Sequence, residues 1–322
     1  LYEQARSTHR FLVADEVGLG KTLIARSVIA RTLHHLWDRV DRIDIVYICS
    51  NADIARQNIK RLNVLGDEGK TLPTRITLLP IMLRDLNKNR INFISFTPGT
   101  SFDLKSNLGV APERMLLYWL LKDIWHFSGT APMNVFQGTS GTKRFRQQLK
   151  YFPDNNRIDR TLAKEFRKTI REHVREEKDN GEWTLRERFD WLCQEYRRSD
   201  ARITREARLE RSAFVGKLRS LLAETCVRML EPDLVILDEF QRFKHLLSGE
   251  DDASVLARKL FEYSDDLTAV RVLLLSATPY KMYTLSDESD DEDHYRDFID
   301  TLGFLFRNKQ KVEKFANLLR EY

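Results

Sequence analysis

The feature that most restricts the fold of this chain is a set of five short, largely apolar runs separated by helix-compatible segments. Each run has four to six residues, which is too short for a typical buried helix. Strands that are covered on both faces have this pattern, and helices between them supply the crossovers that parallel strands need. The sequence therefore predicts an α/β domain built on a mostly parallel sheet. The five predicted strands are residues 11–14, 44–49, 91–96, 234–237 and 270–275.

Length and composition are ordinary for a globular protein and disfavour several other classes. The 322 residues are 42% hydrophobic and 31% charged, as in chains that bury a core. No stretch approaches the roughly 20 apolar residues of a membrane span, so we expect no membrane partner. The three cysteines are widely spaced and form no CxxC pair, which disfavours a zinc ribbon or a disulfide scaffold and favours a reducing, cytoplasmic location. The first residues, LYEQARSTHR, show no signal-peptide pattern and suggest a fragment or a processed segment.

The middle of the chain differs from both ends in its charge and in its near absence of Gly and Pro. Residues 143–230 carry 23 Lys and Arg against 15 Asp and Glu, a larger basic excess than the net charge of +5 for the whole chain. Long helices are expected there, and we interpret residues 108–230 as a helical insertion between two strands. Its charge fits a solvated, salt-bridged surface and a surface that faces nucleic acid equally well. One helical face is predicted to be buried; it consists of Phe214, Val215, Leu218, Leu221, Leu222, Val227 and Leu230. Farther on, the acidic segment 286–300 is predicted to be a mobile loop.

The strongest functional signal is a glycine-rich run between the first predicted strand and a helical segment. It reads Gly18-Leu19-Gly20-Lys21-Thr22. Glycines let backbone N–H groups approach phosphate oxygens, and the N-terminus of the following helix favours an anion. In such a loop Lys21 meets the β- and γ-phosphates, and the hydroxyl of Thr22 holds Mg²⁺. The general pattern begins with Gly six residues before the Lys, where this chain has Asp15. The run predicts binding of a nucleoside triphosphate, ATP, together with Mg²⁺.

A second signal is the acidic pair that follows the predicted strand 234–237. Asp238 and Glu239 lie within the sequence LVILDEFQ. Because parallel α/β sheets bind ligands at the carboxyl ends of their strands, both carboxylates are expected at that edge. Asp238 would hold the Mg²⁺ that Thr22 also contacts, and Glu239 would orient and deprotonate an attacking water. These roles predict phosphoryl transfer to water.

A third signal follows the predicted strand 270–275, in the sequence LLLSATP. The hydroxyls of Ser276 and Thr278 could bond the carboxylates of the acidic pair and sense the state of the γ-phosphate. Ser, Thr and Pro are also ordinary turn formers, so this segment is informative only beside the other two.

Taken in order, ADEVGLGKT, LDEFQ and LLLSATP resemble motifs I, II and III of superfamily 2 helicases, and the Asp-Glu before GLGKT resembles the SWI/SNF-type and RapA-like branch. The resemblance implies a RecA-like P-loop lobe formed by residues 1–107 and 231–322, interrupted by the helical insertion 108–230. The insertion has no counterpart in the resemblance. Nothing after Thr278 resembles motifs IV to VI, so the resemblance implies a second RecA-like lobe in the intact protein.

The resemblance also implies contacts with nucleic acid. Residues 48–57 fall where motif Ia occurs and residues 97–101 where motif Ib occurs, and in this superfamily both stretches touch the sugar–phosphate backbone. The residues concerned are Ser50, Asn51, Thr97, Gly99 and Thr100. A plain β–α turn and a Pro-Gly turn are the alternative interpretations of these stretches. In this superfamily the position of Gln241 couples the nucleotide to the partner lobe, although DEFQ differs from the more familiar DEAD and DEAH forms.

The resulting hypothesis is an ATPase of the helicase or translocase type that moves along nucleic acid, with duplex DNA favoured. Its predicted catalytic residues are Lys21, Asp238, Glu239 and Gln241. Arginine fingers contribute about 10³ to 10⁵ in rate in related enzymes, so the chain by itself is expected to hydrolyse ATP weakly. Two alternatives stay open: a nucleotide-gated module whose insertion docks a protein partner, and an RNA-directed helicase. Family-level analogy suggests bacterial defence as the setting.

Overall fold

The chain divides into two compact units, each made of segments that are distant in sequence. The computed structural model describes residues 9–14, 20–64, 71–73, 75–104, 107–155, 158–197, 203–264, 269–276 and 294–321. The sheet unit comprises residues 1–73, 89–102 and 231–322, and the helical unit comprises residues 74–88 and 103–230. The sequence analysis predicts an insertion that begins at residue 108, so residues 74–88 are expected in the sheet-containing domain. The structure instead assigns that segment to the helical unit, where Ile76 and Leu79 are buried.

A six-stranded sheet forms the centre of the sheet unit. Its strands are β1 (Arg10–Ala14), β2 (Ile43–Ile48), β3 (Thr71–Pro73), β4 (Ile91–Phe96), β5 (Leu234–Asp238) and β6 (Arg271–Ser276). Among the described residues they lie in the order β1-β6-β5-β2-β4-β3, and every neighbouring pair is parallel. The prediction of an α/β fold with a parallel sheet is confirmed. This arrangement is consistent with a Rossmann- or RecA-like core.

The predicted runs form strands because both faces of the sheet are covered. β2 and β6 are buried at every position, as continuous apolar runs require. β1 lies at one edge of the sheet, and its Phe11 is 54% exposed. The sequence analysis missed β3, at the opposite edge. Its three residues, ending in Pro73, are too few to form a pattern, and Pro is tolerated at an edge.

Helices connect the strands and build the helical unit. In chain order they are α1 (Lys21–Leu36), α2 (Ala52–Leu62), α3 (Leu83–Leu86), α4 (Pro98–Ser101), α5 (Ala111–Lys122), α6 (Ala131–Gln137), α7 (Thr142–Asn155), α8 (Arg160–Asp179), α9 (Leu185–Glu195), α10 (Arg205–Leu230), α11 (His245–Ser248), α12 (Asp252–Phe261), α13 (His294–Phe306) and α14 (Lys309–Glu321). Within the described residues, 3₁₀ helices span Ile76–Ile81 and Phe240–Phe243. Within the described ranges, none of these helices combines the length and the apolar character needed to cross a membrane.

Helices α1 and α2 cover one face of the sheet. Alternate residues of a strand point to the same face, so Ile43, Ile45 and Tyr47 of β2 all lie in the core cluster on this side. Ile29 of α1 and Ile59 of α2 belong to the same cluster and are fully buried. Burying one such aliphatic side chain contributes roughly 1.5–3 kcal/mol. This face therefore fixes the positions of α1 and α2 on the sheet.

The end of the chain departs from the sequence analysis. The prediction of a loop over residues 286–300 is wrong for residues 294–300, which begin α13; residues 277–293 lie outside the described part. The acidic composition misled the prediction because the apolar anchors of this helix come later. Phe304 packs edge-on against Phe261 with ring centroids 5.8 Å apart. The guanidinium of Arg10 lies 4.0 Å from the centroid of the Phe304 ring and donates to its carbonyl oxygen over 2.7 Å.

The helical unit has a core of its own. The long helices predicted for residues 143–230 are α7 to α10. All seven residues of the predicted apolar face of α10 are buried, which confirms that prediction. An aromatic cluster joins the helices: Phe189 stacks on Phe127 and Phe214 with centroid distances of 4.8 and 5.9 Å. This packing explains why the unit is compact without any strand among its described residues.

A buried ion pair ties the segments of the helical unit together. The Nη2 atom of Arg219 on α10 lies 3.0 Å from Oε1 of Glu113 on α5, and both side chains are at most 1% exposed. Thr77, from the segment 74–88, donates to the same carboxylate oxygen over 2.5 Å. Arg219 also donates to the carbonyl oxygen of Asp103 over 2.7 Å. Because removal of one partner leaves an uncompensated buried charge, this pair is far more sensitive to substitution than a surface pair.

Replacing Gly109, which lies beside this ion pair, is predicted to destabilise the fold. Its φ is +55°, and a Cβ at this position would collide with the side chains of Glu113 and Arg219. Gly109→Ala should lower the free energy of unfolding by more than about 2 kcal/mol, because backbone strain and a broken buried pair add. Gly129→Ala is the matched control, since Gly129 also has a positive φ, +67°, but nothing lies within 4 Å of its Cβ position. Urea unfolding compares the two variants; equal losses would show that the ion pair is irrelevant.

Two carboxylates are buried at the amino-terminal end of the sheet. Asp44 and Asp233 are 1% and 4% exposed. The amide of Asp44 donates to Oδ2 of Asp233 over 2.8 Å, and Asn92 donates to Oδ1 of Asp44 over 2.8 Å. The Nε atom of Arg42 lies 2.9 Å from Oδ2 of Asp44. Burial raises the pKa of Asp44 to about 6 and the pKa of Asp233 to about 7.

Stability is expected to fall as the pH rises through these two pKa values. An unfolded Asp has a pKa near 3.9, so between about pH 4 and 7 the folded chain binds more protons than the unfolded chain. Asp233→Asn keeps an acceptor for the Asp44 amide but cannot ionise. The loss of unfolding free energy between pH 5 and 8 should therefore shrink by roughly 1–3 kcal/mol in the variant. Urea titrations at both pH values test this, and a variant with the parent's pH dependence would refute it.

Candidate functional site

The carboxyl edge of the sheet gathers the predicted functional segments. Because all strands run in one direction, the chain leaves every strand at the same edge. Strand β1 leads toward α1, β2 leads to Ser50, and β4 leads to Thr97, while Asp238 and Ser276 are the last residues of β5 and β6. The register aligns Ala14 with Ser276 and Leu275 with Asp238. The sequence-predicted residues within the described part thus come from five strand ends that lie side by side.

The N-terminus of α1 begins directly after Gly20. Gly20 precedes the helix with φ +92°, and its carbonyl oxygen accepts from the amides of Leu23 and Ile24 over 2.8 and 3.0 Å. Among the residues that the structure describes, no side chain caps this end, and the first turn carries no acidic residue. Lys21 is half-buried and Thr22 is exposed; Gly18 and Leu19 lie outside the described residues. An uncapped helix end with these properties suits an anion.

Only one strand separates the end of β1 from the end of β5, where Asp238 lies. Strand β6 lies between β1 and β5, and neighbouring strands are about 4.8 Å apart, so the axes of β1 and β5 lie roughly 10 Å from each other. The end of β1, from which the chain leads to α1 and Lys21, therefore lies on the same edge of the sheet as Asp238.

Two side chains hold Asp238 in a fixed orientation. The hydroxyl of Tyr47 on β2 donates to Oδ2 of Asp238. Asn58 on α2 donates from Nδ2 to the same oxygen over 3.2 Å and to the hydroxyl oxygen of Tyr47 over 3.0 Å. Neither of these bonds involves Oδ1 of Asp238. Within the part of the chain that the structure describes, this second carboxylate oxygen is left for a further ligand.

The environment keeps the groups beside Asp238 protonated. Burial, followed by the charge of Asp238 and the hydrogen bond to it, raises the pKa of the Tyr47 hydroxyl above its ordinary value. Burial also raises the pKa of the Cys49 thiol. Tyr47 is therefore a permanent donor to Asp238 near neutral pH, and Cys49 is not a reactive thiolate.

Glu239 has a strained backbone. Its φ and ψ are +51° and +45°, the left-handed region that residues other than Gly and Asn rarely adopt. Its carboxylate pairs with Arg242 over 2.9 Å, and both side chains are substantially exposed. The next residue, Phe240, is fully buried and anchors the turn. The half-buried Gln241 lies in the same 3₁₀ helix. Backbone strain of this kind clusters at functional sites.

The remaining predicted residues lie at the ends of three strands. Asn51 is the N-cap of α2: its Oδ1 accepts from the amides of Asp53 and Ile54 over 2.7 and 3.3 Å. Ser50 precedes it and is exposed, as are Gly99 and Thr100 in the short helix α4. The half-buried Thr97 stands at the N-cap position of α4 without a side-chain capping hydrogen bond among the described residues. Ser276 is 1% exposed at the end of β6, while Thr278 lies outside the described residues.

The oxygen donors at this edge are too few to hold Mg²⁺ without a bound ligand that supplies further oxygens. Among the described residues there is no group of three or more His, Cys, Asp or Glu side chains that could hold a metal by itself. A hydroxyl and a carboxylate are hard oxygen donors of the kind Mg²⁺ prefers, and Mg²⁺ usually keeps water and phosphate as its other ligands. Oδ1 of Asp238, outside both hydrogen bonds to the carboxylate, meets this requirement.

Comparisons of the chain with protein-family models, with curated proteins and with solved structures find no match. The interpretation of the site therefore rests on its own geometry and on the sequence motifs.

Sequence reasoning missed three residues of this site: Tyr47, Asn58 and Arg242. Tyr47 lies in the apolar run 44–49, where its position suggests a core residue rather than a site residue. Asn58 lies in a polar helical segment in which nothing distinguishes it from the neighbouring polar residues. Their link to Asp238 depends on the pairing of β2 with β5, which joins positions about 190 residues apart. Only the spacing between Glu239 and Arg242, three positions within one turn, offered a local signal.

Proposed function

We propose that this chain binds ATP with Mg²⁺ at the carboxyl edge of its sheet and hydrolyses it, as a motor lobe of the superfamily 2 type. The observation that carries the proposal is the convergence at one sheet edge of three features: the N-terminus of α1, which no described side chain caps, the oriented carboxylate of Asp238, and Ser276 at the end of β6. The motif resemblance adds a RecA-like P-loop lobe to this geometry. The three cysteines are free, which agrees with a cytoplasmic setting.

The roles of the residues follow from their positions. The amides at the start of α1 and the Lys21 ammonium neutralise the phosphate tail. Thr22 and Oδ1 of Asp238 would hold Mg²⁺, which neutralises charge that develops on the phosphoryl oxygens. Glu239 accepts a proton from the attacking water once it has separated from Arg242. Ser276, buried between β1 and β5 strand ends, would register the change in charge when the terminal phosphate departs.

Nucleic acid is the second ligand of the proposal. Ser50, Thr97, Gly99 and Thr100 lie at the ends of β2 and β4, on the same sheet edge as the nucleotide residues. Exposed hydroxyls and backbone amides are ordinary phosphate contacts, and such contacts position a duplex without reading its sequence. Duplex DNA is proposed because the Asp-Glu before GLGKT resembles the duplex translocases.

Loss of the Lys21 ammonium is predicted to abolish nucleotide binding. A ligand at 100 times its Kd stabilises the folded chain by about 2.7 kcal/mol, so ATP with Mg²⁺ should raise the melting temperature of the parent and not that of Lys21→Ala. Glu239→Gln should retain the shift but lose turnover, because the amide cannot accept the proton. Thermal melts and phosphate release measure the two effects.

Lys309→Ala, at the exposed start of α14, is the matched control and should behave as the parent. A Lys21→Ala protein that is stabilised by ATP as strongly as the parent would refute the phosphate-loop assignment.

Binding to nucleic acid is predicted to be steeply salt-dependent. Each phosphate neutralised on duplex DNA contributes about −0.9 to the slope of log K against log salt concentration. Filter binding of the chain to duplex DNA and to RNA, at several salt concentrations, should give tighter binding to DNA with a slope of roughly −2 or steeper. Preferential binding to RNA would favour the RNA-directed helicase, and binding to neither would rule out the nucleic-acid part.

One observation favours the alternative of a nucleotide-gated module that docks a protein. The helical unit has an open cleft with exposed apolar side chains, among them Trp183 at 49% and Leu209 at 62% exposure. Trp183 meets Trp191 edge-on with ring centroids 5.7 Å apart. The cleft is lined by Trp183, Trp191, Arg205, Glu206, Leu209, Glu210 and Ala213. Trp side chains are enriched at protein interfaces.

A further inference from the structure

Helix α8 carries a row of basic side chains on its solvent-exposed side. Successive residues of an α-helix are about 100° apart around the helix axis. On this basis six basic residues of α8 fall within an arc of about 80° and are spread over about 27 Å of the helix. All six side chains are exposed. This basic stripe consists of Arg160, Lys164, Lys168, Arg171, Arg175 and Lys178.

The side of α8 opposite the basic stripe is packed into the core of the helical unit. Leu162, Phe166 and Ile170 are at most 1% exposed, and their spacing by four positions places them on one face of the helix. This packing fixes the rotation of the helix about its axis, so the basic stripe points to solvent. Peripheral helices bind a membrane by burying their apolar face in the lipid, and the apolar face of α8 is already buried in protein.

Ion pairs neutralise little of the basic stripe. The Nζ atom of Lys168 lies 3.9 Å from Oε1 of Glu172, and the Nε atom of Arg175 lies 3.8 Å from Oδ2 of Asp179. Both pairs are exposed, and surface pairs of this kind are weak. In both, the basic residue comes first along the chain, which is the less favourable order in a helix.

The remaining charges of the first half of the stripe repel one another. Within the part of the chain that the structure describes, Arg160, Lys164 and Arg171 have no ion pair. Residues 160–171 contain five Lys or Arg and one acidic residue, Glu165. Basic residues four positions apart, such as Arg160 and Lys164, destabilise a helix, whereas opposite charges at this spacing stabilise it. A surface that only had to be solvated would gain from alternating charges, so this arrangement favours a bound polyanion that supplies the missing negative charge.

A nucleic-acid duplex presents negative charge in a form that matches the stripe. It carries one phosphate charge per about 1.7 Å of its axis, so several phosphates fall within the roughly 27 Å length of the stripe. Lys and Arg side chains contact such phosphates without reading the sequence. Sites for single strands add aromatic side chains on which the bases stack, whereas the aromatic residue of α8, Phe166, is fully buried.

We propose that the basic stripe of α8 binds the phosphate backbone of a nucleic-acid duplex. The stripe belongs to the helical unit and shares no residue with the sheet edge, so this binding goes beyond the proposed function and does not depend on nucleotide. DNA and RNA duplexes both offer the phosphates, and such contacts hold a duplex independently of its sequence. The insertion, which has no counterpart in the motif resemblance, thereby has a role of its own.

The test removes three charges of the stripe from the 322-residue chain. The triple variant combines Arg160→Gln, Lys164→Gln and Arg171→Gln. Filter binding to a DNA duplex and to an RNA duplex of equal length is measured at several salt concentrations. Each lost phosphate contact should reduce the slope of log K against log salt concentration by about 1, so the slope should become less steep by about 2–3. The affinity at about 0.1 M salt should fall roughly tenfold or more, for duplexes of any sequence.

A matched variant controls for net charge. Lys309→Gln, Lys311→Gln and Lys314→Gln together remove the same charge from exposed positions of α14, and this control should keep the slope and affinity of the parent. Melting temperatures control for the fold: Gln is a good helix former and the stripe variant relieves repulsion, so it should melt no lower than the parent.

The outcomes separate the stripe from the sheet edge. Weaker binding of the stripe variant to both duplexes supports the proposal, and weaker binding to one of them also identifies that duplex as the ligand. Equal slopes for the parent and the stripe variant would overturn it, as would an equal loss in the α14 control. Stripe-dependent binding to vesicles of anionic lipid, with no binding to either duplex, would replace the duplex by a membrane surface. If ATP with Mg²⁺ does not stabilise the parent but stripe-dependent duplex binding persists, the proposed function fails and this inference stands.

Discussion

The parallel pairing of β5 with β2 on one side and with β6 on the other is the interaction on which the candidate site depends. The register sets Leu237 against Ile48 and Asp238 against Leu275. Since side chains alternate between the faces of a strand, a slip of one residue would turn Asp238 to the opposite face. It would then lose the hydroxyl of Tyr47. The burial of β2 and β6 at every position, and of β5 from Leu234 to Leu237, is what holds this register.

Acidic side chains at the two ends of the same sheet are treated differently by their surroundings. At the carboxyl end, Asp238 is partly exposed and accepts two hydrogen bonds from described residues, both on the same oxygen. At the amino end, Asp44 and Asp233 are buried side by side, and desolvation raises their pKa values. The first arrangement suits a ligand; the second costs stability when both groups ionise. All three residues are aspartates, so the difference between the two ends of the sheet comes from solvent access to the carboxylates.

The fold was largely predictable because its signals are local. Five strands could be located from their apolar runs, and the buried face of α10 from its spacing. Two elements could not be predicted from local patterns. Strand β3 has only three residues, too few to show a pattern, and the apolar anchor of α13, Phe304, comes after the acidic stretch that suggested a loop. The motif residues could be assigned to one sheet edge in advance. Tyr47 and Asn58 could not, because their role arises from a strand pairing that joins distant parts of the chain.

The strand order has a consequence for how the molecule is made. β5 and β6 follow residue 230 in the chain, yet they occupy the two positions between β1 and β2. Until they emerge from the ribosome, a nascent chain has a gap two strands wide, and β1 has no neighbour. Such late, long-range pairing slows folding and leaves strand edges open to wrong partners. Asp238 and Ser276 arrive on these closing strands, so the molecule cannot gain its acidic site before its sheet is complete.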